Sequence, residues 1–215
     1  MSRTTTIAQL ISISTALVAS GGIATLSLFD IPELQAQPAS RSLPSIRWLF
    51  SRGSHIFPAA SVVSSASFAY LAYAAMPSIG SRTVMELLRY GKVPGYIAAA
   101  VLTFGIARFT TVAMVPTNFT LIERNEQLGG ARSEKAANAG AAKPGAKTAE
   151  QSVNNENQPN QYTDLSVPQE KTVIESNEAQ DKEVKELLGK FGQLNAVRAV
   201  LMLAGGIVGL YTAIV

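Results

Sequence analysis

At 215 residues the chain is sized for one domain. It is 47% hydrophobic but only 15% charged, with a mean hydropathy of +0.18, whereas a soluble domain carries about 25% charge. The net charge of +3 forms no basic stripe, which argues against nucleic acid as a partner. The lack of cysteine excludes disulfides, thiolate metal sites and cysteine nucleophiles, and one histidine with no acidic residue in the apolar segments excludes a di-iron bundle.

The charges gather in a few stretches and leave the others nearly bare. Residues 5–29 form a first apolar run with no charge between Arg3 and Asp30. About 20 apolar residues span a bilayer. The run is too long for a signal-peptide core and Gly21-Gly22 interrupts it, so a retained span is expected. Asp30-Ile31-Pro32-Glu33 is read as its end. A loop is expected over 34–53, with Pro38, Pro44, Arg41, Arg47 and Arg52, and with Trp48 as an interfacial anchor.

A second span is expected over 54–76, opening with Ser54-His55-Ile56-Phe57-Pro58, then a short basic loop with Arg82, Arg89 and Lys92. The third covers 93–115, with Pro94 suited to its first turn and Pro116 breaking its end. Residues 122–187 are an insertion. Its part at 129–176 is poor in large apolar residues and is expected to be disordered, with a short amphipathic helix returning near 177–191. The fourth span covers 194–215. The expected fold is all-α: a single four-transmembrane-helix bundle with a long disordered loop between helices 3 and 4.

Four antiparallel spans sort the polar residues. Asp30, Glu33, His55, Thr117, Asn118, Glu123, Asn195 and Arg198 fall on one side of the membrane; Arg3, the 77–92 loop and the C-terminus fall on the other. The excess of Lys and Arg on the first side predicts that it faces the cytosol. The sequon Asn118-Phe119-Thr120 lies against a helix end and is expected to be unused. The protein is expected to be a multi-pass protein of the endoplasmic reticulum or another endomembrane.

Arg108 and Arg198 are the charges within the spans. A charge in lipid costs at least about 2.5–3.5 kcal/mol, so it usually faces the bundle and has a role. Counting back from Pro116 places Arg108 about 12 Å deep, too far to snorkel easily. Arg198 is only about 6 Å in, so snorkelling competes with function there. Asn195 and Arg198 are spaced i, i+3 and share a helix face, which Gly205 and Gly209 continue. Asn118 and Asn195 are read either as caps of broken helix ends or as site groups, and His55 as an interfacial histidine or a base. No Ser–His–Asp set, Gly-rich phosphate loop or H-E-x-x-H is present.

Gly21-Gly22 followed by Pro32, Trp48 with Gly53 and Pro58, Pro116-Thr117-Asn118 with Leu121, and Leu194-Asn195-x-Val197-Arg198 together resemble the anthrone oxygenase-like integral membrane family in its fungal form. The resemblance covers all four spans and excludes 129–176. Phe191 departs from it, standing where the family often has Trp. The resemblance implies oxidation of a polyketide anthrone to an anthraquinone by O₂ in secondary metabolism, with no metal or flavin cofactor. Such chemistry needs a base, for which His55 is the near-neutral candidate, and donors to the enolate oxygen, for which Arg198, Asn118 and Asn195 are the candidates. Arg108, Thr117 and Trp48 are expected to contact the substrate, and the lipid bilayer to deliver it. The competing reading is a non-enzymatic four-helix scaffold or small-molecule carrier, in which the same polar residues only cap and bridge helices.

Overall fold

The computed structural model describes residues 2–76, 86, 90–154 and 159–215. The expected basic loop falls largely outside these, Arg82 and Arg89 with it. Among the described residues every regular element is helical. Helix α1 (Arg3–Thr25) passes through a π-helical turn (Leu26–Asp30) into α2 (Ile31–Gln35). Helix α3 covers Ala39–Ala74. Helix α4 (Val93–Phe109) passes through a second π-helical turn (Thr110–Met114) into α5 (Val115–Gln127). The short helices α6 (Glu134–Ala136) and α7 (Ala149–Val153) lie in the insertion, and α8 covers Glu178–Ile214.

Among the described residues, four helical stretches are long and apolar enough to cross a membrane, at 33, 36, 35 and 37 residues. At 1.5 Å per residue each is about 50–55 Å long, well beyond a hydrocarbon core of about 30 Å. The helices therefore run on beyond the expected spans, and the loop expected over 34–53 is mostly helix. The prolines explain the difference. A proline in a helix leaves the carbonyl four residues back without its donor. For Pro44 that carbonyl belongs to Ser40, and it accepts the backbone N–H of Thr172 at 2.8 Å. Pro32 and Pro116 do not stop their helices either. Each occupies the second position of an α segment that resumes directly after a π-helical turn, where the wider backbone accommodates the ring.

Packing divides the chain into two units. The first comprises 1–24, 57–111 and 196–215; the second comprises 25–56 and 112–195. The first keeps a buried apolar core around Ile23, Phe68, Leu71 and Met202 but differs from a soluble domain in its surface. Val18, Val101, Phe104, Val200 and Ile207 point outward, each more than half exposed. Ser12, Ser20, Ser61, Ser64 and Thr103 are buried. Three of these hydroxyls donate to a backbone carbonyl of another helix: Ser20 to Ala199 at 2.8 Å, Ser61 to Thr103 at 2.8 Å and Ser64 to Ser12 at 2.9 Å. Gln9 donates to the Tyr96 hydroxyl at 2.7 Å. An apolar exterior and small hydroxyls between helices suit lipid as the surrounding solvent. Gly205 and Gly209 are buried as expected. A Cβ on Gly205 would lie 2.5 Å from the Thr103 methyl, and one on Gly209 would overlap the Phe68 ring.

The second unit holds the insertion, and here the structure departs from the expected disorder. In its described residues Ala131, Ala136 and Ala141 pack together, and Ser133, Ser152, Asp164 and Thr172 are each 3% exposed or less. Composition misled because this segment packs with small residues and satisfied polar groups rather than large apolar ones. Arg47 donates to the Ser152 carbonyl at 3.0 Å, and Ser152 Oγ donates to Glu126 at 2.5 Å. Thr148 and Gln151 form a capping box on α7. Arg124 pairs with Glu183 at 2.8 Å. The amphipathic helix expected at 177–191 and the fourth span are one helix, α8.

Candidate functional site

In the second unit α3 presents Trp48, Arg52 and His55 at i, i+4 and i+7, one face of the helix. The imidazole of His55 stacks on Tyr162, ring centroids 4.1 Å apart and tilted by 32°. His55 Nε2 is buried without a hydrogen-bond partner. Thr117 and Asn118 open α5 directly after the second π turn, and their Oγ1 and Oδ1 atoms are likewise buried and unpartnered. An unmade bond at a buried polar atom costs about 1–3 kcal/mol. These three fall at residues singled out from the sequence, and buried unpartnered atoms also occur at Ser42, Arg47, Asn125 and Arg132 in the same unit. Neither asparagine caps a broken helix end, because neither helix breaks. The sequon threonine, Thr120, donates to the Pro116 carbonyl inside α5.

Asn195 is fully buried and its Nδ2 donates to Ser27 Oγ at 3.1 Å. Ser27 lies in the first π turn. Single π turns within α-helices are frequent at functional sites, since the extra residue re-aims the side chains around it.

In the first unit Arg198 is 8% exposed, with its guanidinium carbon 5.7 Å from the centroid of the Phe57 ring. Gly22 backs that ring, a Cβ there lying 3.5 Å from it. Asn195 and Arg198 share a face of α8, as their spacing predicts. Arg108 is different. It lies on the exposed face of α4, not toward the interior. Its estimated depth counted from a helix end at Pro116, and the helix continues to Gln127.

Trp48 is not a free interfacial anchor. Its indole N–H donates to the Ser166 carbonyl at 2.9 Å, and the Arg52 guanidinium sits 5.1 Å from the centre of its ring. Trp48 also lines an open groove of about 250 Å³ with Asp30, Glu33, Leu34, Gln37, Ser45, Leu49 and Pro168. Two carboxylates, Asp30 and Glu33, sit in this groove beside the apolar Leu34, Leu49 and Pro168. Arg198, Asn118, Asn195, His55 and Thr117 do not line it. Sequence reasoning missed Phe57, Ser27, Tyr162 and Arg52. The i, i+4, i+7 spacing of Trp48, Arg52 and His55 was a usable signal, hidden by reading 34–53 as a loop. Among the described residues no three of His, Cys, Asp and Glu form a set that would hold a metal ion.

Asp164 organises the chain beside His55. Ser133 Oγ donates to it at 2.6 Å, as do the Ser166 hydroxyl at 2.6 Å and the Ser166 backbone N–H at 3.0 Å. Burial pushes its pKa up, but these bonds and the Arg52 charge outweigh burial and hold the carboxyl below the ordinary aspartate value. A lowered folded pKa stabilises the ionised fold above the unfolded value, and that stability is lost as pH falls through the lowered one. Docking of residues 159–167 is therefore expected to be constant near neutrality and to loosen only below about pH 4. Asp164→Asn is expected to loosen it at every pH. Limited proteolysis of the full chain between pH 3 and 8 checks both; identical cleavage rates for variant and parent would contradict this account.

Residues 47–208 match the family described as anthrone oxygenase. Over 212 residues the chain is 31% identical to a protein named anthrone oxygenase encC from Aspergillus fumigatus, an alignment that takes in 96% of this chain and 92% of that protein. No solved structure matches.

Proposed function

The chain belongs to the anthrone oxygenase family, and from that premise we propose that it is a membrane-embedded oxygenase that converts a polyketide anthrone to an anthraquinone using O₂ alone. The observation that carries this reading is the similarity to a named anthrone oxygenase along 96% of the chain. Four long apolar helices support the membrane setting, where both a flat tricycle and O₂ concentrate.

The chemistry needs little apparatus. The methylene of an anthrone is acidic because its anion is an aromatic enolate. Loss of one methylene proton gives that anion, which passes electrons to O₂ and forms a carbon–oxygen bond to a hydroperoxide. Loss of the second hydrogen as a proton breaks the O–O bond. One oxygen atom remains as the new carbonyl and the other leaves as water. We assign His55 to the first proton transfer; its buried Nε2 without a partner is in keeping with a group awaiting a substrate hydrogen. Arg198, Asn118 and Asn195 are assigned to the enolate oxygen, where fixed donors act strongly away from water. The unpartnered hydroxyl of Thr117 can donate to a bound molecule, whereas the unpartnered amide oxygen of Asn118 accepts and calls for a donor, so Asn118 serves the enolate oxygen only through its Nδ2. Asn195, fully buried, donates from Nδ2 to Ser27 Oγ at 3.1 Å. Arg198 lies in the other unit, and its assignment to this set rests on its being a buried cation rather than on placement beside these groups. Arg108, exposed on α4, has no part in it.

The test is O₂ uptake by membranes containing the full chain after addition of an anthrone, measured against membranes without it because anthrones oxidise spontaneously. An excess rate is expected, and Asn118→Ala at equal abundance is expected to lower that excess about 10- to 100-fold. No excess over the control membranes would overturn the oxygenase reading in favour of a scaffold or carrier.

A further inference from the structure

The insertion runs close to His55 as a strap pinned at both ends. At one end Arg132 donates to the Pro159 carbonyl. At the other the Glu134 backbone N–H donates to the Val167 carbonyl at 2.9 Å. Between them the Ser166 carbonyl accepts from both Trp48 Nε1, at 2.9 Å, and Arg52 Nη2, at 3.2 Å, while Arg52 Nη1 reaches the Gln161 carbonyl at 3.4 Å. Asp164, 2% exposed, ties the strap to Ser133 and to its own Ser166. The backbone turns at Asn160, whose carbonyl accepts the N–H groups of Thr163 and Asp164 at 3.1 and 2.9 Å. That turn presents Tyr162, whose ring stacks on the imidazole of His55. Tyr162 is 70% exposed, and its ring packs against the imidazole of His55. The clamp residues Trp48 and Arg52 and the covered residue His55 share one face of α3, so a single helix face holds the strap and receives the ring.

We infer that Tyr162 is a positioning residue: the 159–167 strap holds its ring against His55, shielding the imidazole and fixing its orientation. The shielding stands on the geometry alone; its bearing on turnover rests on the base role proposed for His55. The stack uses the ring face, so phenylalanine substitutes for tyrosine and alanine does not.

His55 is the one histidine in the chain, which permits a test that does not depend on catalysis. Carbethoxylation of imidazole by diethyl pyrocarbonate, followed by its absorbance near 240 nm, reads the exposure of this residue in the full-length protein in detergent. Tyr162→Ala is expected to raise the modification rate several-fold, with Tyr162→Phe at the parental rate. Arg52→Gln, which weakens the clamp without touching either ring, is expected to raise it as well. A parental rate in Tyr162→Ala would overturn the inference, and so would an equal rise in Tyr162→Phe, which would assign the effect to the hydroxyl. In O₂ uptake, Tyr162→Ala is expected to lower the excess rate and Tyr162→Phe to restore it. A raised modification rate with unchanged turnover would leave the shield in place and remove His55 from the proposed chemistry.

Discussion

Arg198→Ala is expected to reduce anthrone-dependent O₂ uptake about 100-fold or more at equal abundance in the membrane. Removing one preorganised donor from a developing oxyanion costs about 10²–10³ in rate, and Arg198 combines a permanent charge with a buried position. Its side chain is steadied by the face of Phe57, 5.7 Å from the guanidinium carbon. Such a contact contributes about 0.5–2 kcal/mol, so the variant is expected to lose some stability but not to disappear from the membrane. Arg198→Lys keeps the charge and loses the planar fork, and an intermediate rate is expected. The measurement is the excess uptake rate normalised to protein in the same membranes. Full activity in Arg198→Ala would remove this residue from the reaction, and activity falling in step with abundance would reduce it to a helix-bridging cation.

Gly209→Leu is expected to abolish assembly of the membrane bundle. The ring of Phe68 occupies the space in which any side chain on Gly209 would begin. Phe68 is itself fully buried and stacks on Tyr96 with ring centroids 6.4 Å apart, so it has little room to retreat. Overpacking usually costs about 1–3 kcal/mol, and a case that forces two helices apart belongs at or beyond the top of that range. The readout is recovery of monodisperse protein in mild detergent and its thermal unfolding. Gly21→Ala is the matched control. A Cβ on Gly21 meets nothing within 4 Å, and alanine is favoured over glycine in a helix by about 1 kcal/mol. That variant is expected to be at least as stable as the parent. Parental stability in Gly209→Leu would contradict the close approach of α3 and α8.

Much of the bundle was legible because its signals are local. An uncharged apolar run long enough to cross a bilayer is a statement about consecutive residues. Gly205 and Gly209 could be placed on the buried face because helical periodicity follows from sequence spacing. His55, Thr117 and Asn118 stood out as polar side chains at the ends of apolar runs, but the buried unpartnered atoms of Asn125 and Arg132 did not. The prolines were not legible. Whether Pro44 ends a helix depends on whether the Ser40 carbonyl finds another donor, and that donor is the N–H of Thr172 from the distant insertion. Arg108 was placed wrongly for a related reason, since its depth was counted from a helix end that does not exist.

By itself, then, the sequence determined four long apolar helices, a polar residue set at their ends and the glycine face of α8, because length, charge and spacing act within one segment. Only the tertiary structure decided that Pro32, Pro44 and Pro116 stay within or beside continuing helices, that Arg108 points outward and that the insertion folds into a strap carrying Tyr162 onto His55. Each of these turns on a polar group finding its partner far along the chain, or on which face of a helix neighbours cover, and neither is encoded in any one stretch.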